Sequence, residues 1–478
     1  MTLSEVEQTL RDHGVPEDVL QHILKTLVVA KRTKDALEKL KEEYRQVRRL
    51  VDQSPDTGLP VRKGLEQDFS RLREEASREG KKLALFLIRL DEKYERIENS
   101  RDRSRVLLFK TARRIRRVLP GLYQGDRPEE FLGARLVSGD EEAVSLGKEI
   151  SDVVMVPQDP PAEDIQFGCY VGIVLFPDHG EEWPALFEML HIAVAEAMRE
   201  KERAVLYTGD IGRRHFEEEL VLEHMRRVLR DGFEEFHLAY QPIVDRSLSI
   251  VGAEALIRWD NPALGSVSPA RFIPLAESTG DIMAIGQWVL YRACKQLSLW
   301  HARGFRDLFI SVNLSPPQFK LHDLAFRVAG ILKSLAFEGR FLKLEVTEGV
   351  LMDHPEEAVE KMNELRAMGV KLCIDDFGTG YSSLGYLRRF PFDTLKIDRS
   401  FVVGVEDDPS LQGIVRAIIG VAGALGISTL AEGVENERQL DFLMAEGCEM
   451  FQGFYFARPV PPEEFERLLR EGVRVARA

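Results

Sequence analysis

From residue 237 onward, short apolar runs alternate with stretches whose apolar residues recur every three or four positions. The runs are HLAYQPIV (237–244), IVGAEALIRW (250–259), LFISVNLS (308–315), FLKLEVTE (341–348), VKLCIDD (370–376), TLKIDRSF (394–401), ISTLAEGVE (427–435) and CEMFQGFYF (448–456). Most of the connections carry helical spacing, as from Pro355 to Met368, Leu411 to Leu425 and Glu437 to Glu446. Strands and helices alternating over about 250 residues predict an α/β fold of the (β/α)8, TIM-like barrel type. The short step from the first run to the second predicts a hairpin, a local irregularity in that barrel.

Ahead of the barrel, Arg213 to Arg230 predicts an amphipathic helix with Leu220, Val221, Met225, Val228 and Leu229 as its stripe. Residues 53–212 predict a separate α/β domain: a strand from Leu83 to Leu90, a basic helix from Ser104 to Val118, a strand from Phe167 to Phe176 and a helix from Trp183 to Arg199. The first 52 residues are expected to be helical. Ser4 and Glu7 fit a capping box, and Pro16 opens a longer helix reaching Val51. In it Leu20, Ile23 and Leu27, then Leu37, Leu40, Tyr44, Val47 and Val51, form a seam. That seam fits a parallel dimer contact that passes a signal, or equally a face docked on its own domain.

A chain of 478 residues exceeds one ordinary core, in keeping with several domains. With 44% hydrophobic and 30% charged residues it reads as soluble protein, and no apolar run reaches bilayer length. The start MTLSEVEQTL lacks the basic and apolar regions of a signal peptide, so a cytoplasmic location is expected. Four cysteines without CxxC spacing read as buried thiols rather than disulfides or a zinc site. The net charge of −14 argues against a nucleic-acid polymer as partner, but not against an anion held through metal ions. The arginines at 113, 114, 116 and 117 read as a solvated helix face.

Active sites of such barrels lie at the C-terminal ends of the strands. Polar residues near those ends are Glu254 in the second run, Asn313 in the third, Glu345 and Glu348 in the fourth, and Asp375 and Asp376 in the fifth. Lys396 and Asp398 follow in the sixth, Glu432 and Glu435 in the seventh, and Gln452 in the eighth. Alone, the Asp375-Asp376 pair before Gly-Thr-Gly reads as a turn capping a helix from Ser382; both acids serve one site only if the chain leaves the strand at Asp376. Barrel strands are covered on both faces, however, and unpaired carboxylates there are costly, so acids gathered on one rim call for cations. Oxygen donors with one amide and neither cysteine nor histidine point to Mg2+ or Mn2+ rather than zinc. Two such ions about 3.5–4 Å apart activate water and stabilise both oxygens of an in-line displacement at phosphorus. With Lys396 as complementary charge, the class reached is metal-assisted phosphodiester hydrolysis.

Residues 213–478 resemble the EAL family of cyclic di-GMP phosphodiesterases. Glu254-Ala255-Leu256 is the naming motif, with QPIVD, NLS, LEVTE, DDFGTGYSSL, KIDRSF, AEGVE and QGF in register. The resemblance implies that Glu254, Asn313, Glu345 and Asp375 hold a first metal, and that Asp375 bridges to a second completed by Asp376 and Glu432. It implies further that Lys396 orients the attacking water, with Glu435 and Gln452 supporting metals or water. Glu348 would brace the loop from Asp376 to Leu384, which carries dimer contacts. Gln241, Leu256 and Arg258 would contact base and phosphate, Pro459 the second guanine, and Asp398 is counted with this substrate-binding set. The implied reaction opens cyclic di-GMP to linear pGpG in a homodimer. A catalytically silent cyclic di-GMP receptor is the rival reading, and a barrel acting on another phosphodiester a third; retention of every ligand position favours hydrolysis.

Residues 53–212 resemble the GGDEF family of diguanylate cyclases through DTGLPVRKGL (56–65) and GIVLFPDHG (172–180). Where that family has GGDEF, this chain has Arg127, Pro128, Glu129, Glu130 and Phe131, and Arg89 stands at the first metal-binding aspartate. The product-inhibition motif RxxD is absent, since Arg116 and Arg117 are followed by Val118, Leu119 and Pro120. Arginine cannot coordinate magnesium, and proline removes an N–H donor. A degenerate, regulatory or dimerising domain without cyclase activity is expected, with GTP left open as its ligand.

Overall fold

A computed structural model describes residues 17, 20, 21, 25, 26, 52–91, 101–156, 167–378 and 388–473, excepting the side chains of 101–103, 353 and 376. The expected seam from Leu37 to Val51 and the loop residues 379–387 lie outside the described residues. The chain divides into two compact units, Met1–Glu217 and Glu218–Ala478. The division falls inside the helix Gly209–Arg230, where the sequence places a boundary at 212.

In the first unit, β1 (Lys82–Leu90), β2 (Leu122–Gln124), β3 (Glu130–Val137), β4 (Cys169–Phe176) and β5 (Ala204–Leu206) form one sheet in the order β2-β3-β1-β4-β5. Alternate residues of a strand point to opposite faces, and β1 feeds two cores accordingly. Leu83, Leu85 and Leu87 pack with residues of the helices Arg62–Glu79 and Trp183–Glu200. Ala84, Phe86 and Ile88 pack with those of Arg101–Val118 and Asp140–Met155. The sequence reading captured β1, β4 and two helices, and it missed β2, β3, β5 and the helices at 62–79 and 140–155. Two of those strands have only three residues, and the third opens on an acid and carries Gly133 and Arg135 in place of an apolar run. Arg113, Arg116 and Arg117 are solvent-exposed, as a solvated helix face requires.

In the second unit, β6 (Phe236–Asp245), β7 (Ile250–Asn261), β8 (Gly265–Val267), β9 (Phe309–Leu314), β10 (Leu342–Thr347), β11 (Lys371–Phe377), β12 (Thr394–Ile397), β13 (Ser428–Ala431) and β14 (Met450–Phe451) follow in sequence. All but β8 form a closed eight-stranded barrel of the α/β class. From β7 through β9 to β14 the neighbours are parallel; β6 closes the ring antiparallel to both β7 and β14. The predicted hairpin between the first two strands is present, and β8 extends it antiparallel to β7. The last three apolar runs are longer than their strands. After Ile397 the chain turns into the helix Arg399–Val402, capped by Asp398, and β14 holds only two residues.

The outside of β6 is sealed by aromatic packing. Trp300, on the helix Ile282–Ala302, stacks on Phe465 of the helix Pro462–Glu471 at 4.7 Å and meets Tyr240 edge-on at 4.9 Å. Tyr240 also exchanges backbone hydrogen bonds with Val460 at 2.8 and 3.0 Å. All four cysteines are buried and unpaired, and among the described residues no helix is long and apolar enough to cross a membrane. Replacing Phe465, which is fully buried, by alanine is expected to lower the unfolding free energy of the barrel by about 3–5 kcal/mol. Urea denaturation followed by circular dichroism measures it, and an unchanged midpoint would dismiss this seal as a stabilising contact.

Candidate active site

Neighbouring strands bring the predicted polar residues to one end of the barrel by register. Asn313 on β9 faces Glu345 on β10, Thr347 faces Asp375 on β11, and Glu254 on β7 faces Ser311. Glu345 is 1% exposed and accepts hydrogen bonds from Ser311 Oγ and from Lys396 Nζ, the latter at 2.5 Å. The same ammonium meets Asp375 at 2.9 Å and pairs closely with Glu432. Glu254 accepts from Asn313 Nδ2 at 2.7 Å and from Gln452 Nε2 at 2.6 Å. Gln452 Nε2 also donates to Gln241 Oε1 at 2.9 Å, while Gln452 Oε1 is buried without a hydrogen-bond partner among the described residues. Gln241, Glu254, Asp375, Lys396, Glu432 and Gln452 line a cavity of about 270 Å³ together with Leu256, Arg399, Glu435 and Phe454, and Glu345 and Ser311 lie behind this wall. A second cavity of about 330 Å³ shares Leu256 and Asp375 and contains Arg258 and Asn313.

The cluster is short of positive charge. Glu254, Glu345, Asp375 and Glu432 all act on the Lys396 ammonium, and among the described residues it is the cation that forms ion pairs with them. Burial would lower the Lys396 amine, yet these carboxylates outweigh it and hold the amine well above its ordinary range. Burial also pushes Glu345 up to about 8 and Glu432 to about 7, with Lys396 pulling both back down. Carboxylates so poorly neutralised bind protons or further cations.

Among the described residues no three His, Cys, Asp or Glu side chains already stand at metal-ligating spacing, and Lys396 Nζ lies where the carboxylates converge. The donor chemistry fits a hard divalent cation nonetheless: the oxygens are carboxylate and amide, they carry excess negative charge, and Gln452 Oε1 has an unused lone pair close by. The side chain of Asp376 lies outside the described residues. Its backbone remains in β11, and the pairing of β11 with β12 shifts register between Ile374 and Phe377, a break that brackets both aspartates.

The other predicted residues divide. Glu348 is 4% exposed and accepts from Gly378 N–H at 3.3 Å, which ties down the exit of β11. Glu435 faces Arg399 at 2.7 Å. Asp398 spends its carboxylate on the backbone N–H of Ser400 at 2.9 Å and on that residue's hydroxyl, as a helix cap. Asp398 and Pro459 are not among the residues that line these two cavities. Arg399, Ser311 and Phe454 are present in the site but were not singled out from sequence. Ser311 was findable, since it precedes Asn313 by two and therefore shares its face.

In the first unit, Arg89 and Glu130 are register partners on β1 and β3. The Arg89 guanidinium grips the 1%-exposed Glu130 carboxylate at 2.5 and 3.0 Å. The adjoining turn is closed on itself: Gln124 Nε2 donates to the carbonyls of Arg127, Pro128 and Glu130 at 3.0, 3.0 and 2.8 Å.

The pattern of the EAL domain family matches residues 225–459. A solved structure titled PaMucR phosphodiesterase, c-di-GMP complex, is 42% identical, with 52% of this chain matching 99% of that one at a TM-score of 0.50. The chain belongs to the EAL domain family. Cyclic di-GMP phosphodiesterase NbdA of Pseudomonas aeruginosa is 34% identical over 448 residues, 92% of this chain and 56% of that relative. Cyclic di-GMP phosphodiesterase PdeR of Escherichia coli is 34% identical over 305 residues, 64% of this chain and 46% of that relative. This EAL protein therefore spans about half the length of these curated relatives.

Because Lys396 pairs with three carboxylates of this EAL barrel, Lys396→Ala is expected to cost about 3–5 kcal/mol of stability in divalent-free buffer at neutral pH. Thermal and urea unfolding measure the loss; a variant as stable as the parent would show that the acids do not depend on it.

Proposed function

We propose that the barrel hydrolyses cyclic di-GMP to linear pGpG. The observation that carries this reading is the ring of Glu254, Glu345, Asp375 and Glu432 around the buried Lys396 at the mouth of an EAL barrel. The names of the relatives support the substrate: NbdA and PdeR are called cyclic di-GMP phosphodiesterases, and the PaMucR structure is titled as a c-di-GMP complex.

Glu254, Asn313, Glu345 and Asp375, with Asp376 and Glu432, are the residues that would hold Mg2+ or Mn2+. Bound there, the ions supply positive charge for the phosphate and lower the pKa of a water. The chain's own residues orient the reaction. Lys396 fixes the rotamers of Glu345, Asp375 and Glu432 and presents a positive charge beside the attacking oxygen. Gln452 and Asn313 hold Glu254 from two sides, and Glu348 fixes the turn that follows β11. Leu256 and Gln241 offer an apolar and an amide wall for base and ribose. Water oxygen bonds to phosphorus, the bond from phosphorus to the 3′ oxygen breaks, and the water's proton ends on that 3′ oxygen.

For the first unit we infer a regulatory or dimerising domain of degenerate GGDEF type. The Arg89–Glu130 pair and the self-bonded turn at 127–130 support the absence of cyclase chemistry. A homodimer and GTP as an effector belong to the same proposal.

Cyclic di-GMP incubated with protein and magnesium, then resolved by chromatography, is expected to yield pGpG. Intact bound ligand would instead indicate a receptor, and neither outcome a different phosphodiester. Glu254→Ala is expected to fold normally and lose turnover by more than about a hundredfold, consistent with loss of a preorganised site group; full activity would remove Glu254 from the site. Chelation should abolish turnover and calcium inhibit it, because calcium's looser coordination does not keep the two-ion geometry. Calcium-supported turnover equal to that with magnesium would contradict this. In the Glu254→Ala background, where product would persist, GTP should give no cyclic di-GMP; its appearance would overturn the degenerate reading.

A further inference from the structure

The geometry points to Arg399 as a phosphate clamp for the substrate, with Glu435 as the residue that positions it; this rests on the phosphodiesterase reading above. Arg399 begins the short helix after β12 and lines the same cavity as Lys396. Lys396 is spent on three carboxylates, and Arg258, in the adjoining cavity, turns one N–H back to the carbonyl of Ile257 at 2.8 Å. Arg399 is different. Its side chain is 58% exposed, and among the described residues Glu435 Oε1 is its one hydrogen-bond acceptor, at 2.7 Å. A guanidinium presents five N–H donors in a fixed fork, so one edge held by a carboxylate leaves another for a phosphate oxygen.

A solvated surface pair is the ordinary reading of an exposed arginine and glutamate, and such pairs contribute little. The backbone beneath the pair argues for more. Gly433, between Glu432 and Glu435 in sequence, has φ +68°, and a Cβ there would lie 2.2 Å from Arg399 Cγ and 2.8 Å from its Cβ. The loop after β13 is therefore bare where the arginine stem crosses it, and that crossing carries the guanidinium to the cavity wall. Glu432 and Glu435 lie on either side of this crossing: the first faces Lys396, the second faces Arg399. One loop thus sets two cations at different depths, a buried one among the acids and an open one at the wall. A phosphodiester anion complements the open one.

The test uses the full chain and its Arg399→Ala, Arg399→Lys and Glu435→Gln variants. Steady-state hydrolysis of cyclic di-GMP is followed across ionic strengths, and equilibrium binding of cyclic di-GMP is measured with calcium replacing magnesium. For Arg399→Ala, KM and Kd should rise about tenfold or more with kcat within about twofold, and the salt dependence of KM should flatten. Arg399→Lys should recover part of the loss, and Glu435→Gln should fall between parent and Arg399→Ala. Unchanged KM and salt dependence in Arg399→Ala would overturn the clamp, as would a fall in kcat at constant KM. Should the parent bind cyclic di-GMP without turning it over, the hydrolytic reading fails while the clamp is judged on Kd alone: equal affinity in parent and Arg399→Ala overturns it. No binding by the parent overturns both.

Discussion

An ammonium group buried to 2% side-chain exposure is tolerable only beside negative charge, and Lys396 has Glu345, Asp375 and Glu432 within ion-pair distance. The compensation overshoots. With Glu254 added, four acids act on this ammonium, and two of them are driven up toward neutral pH by burial. A protein built only for stability would replace such a cluster by apolar side chains of similar volume at little or no cost. Holding surplus acid in a covered barrel instead commits that end of the fold to binding positive charge. The hydrogen bonds around the cluster, from Ser311, Asn313 and Gln452, use neutral donors that fix the carboxylates without cancelling their charge.

Closure of the barrel is what lets these groups meet. Parallel strands stagger their ends in a regular way, so Asn313 and Glu345 arrive at one level from β9 and β10, and Asp375 on β11 lies two residues further along, level with Thr347. The reversed strand β6 adds a contribution that a parallel one would not. Running against β7, it sets Gln241 opposite Glu254, and β14 beside it brings Gln452 to both. The amide relay at Glu254 thus follows from the hairpin that joins β6 to β7.

Much of this was legible in the sequence because period and position suffice. Eight apolar runs in alternation with helices gave the barrel, and the level of each acid within its run gave the rim. What was not legible depends on local competition. TLKIDRSF reads as one apolar run, but Asp398 captures the N–H of Ser400 and ends the strand at Ile397, so a residue expected at the substrate serves the backbone. Arg399 was passed over because its place at the cavity wall depends on a glycine in a different strand's loop, a pairing that no spacing rule contains. In the first unit the short strands β2 and β5 carry too few residues for any period to emerge.

The Arg89–Glu130 pair has a consequence for how that first unit can change over time. The two residues sit opposite one another on hydrogen-bonded strands, and the acid is almost wholly covered. Removing the arginine alone strands a buried anion; removing the acid alone leaves a guanidinium against a covered wall. Either single step descends in stability before any new chemistry is gained, so the pair behaves as a ratchet: this spot can be rebuilt for another purpose only by two coordinated replacements.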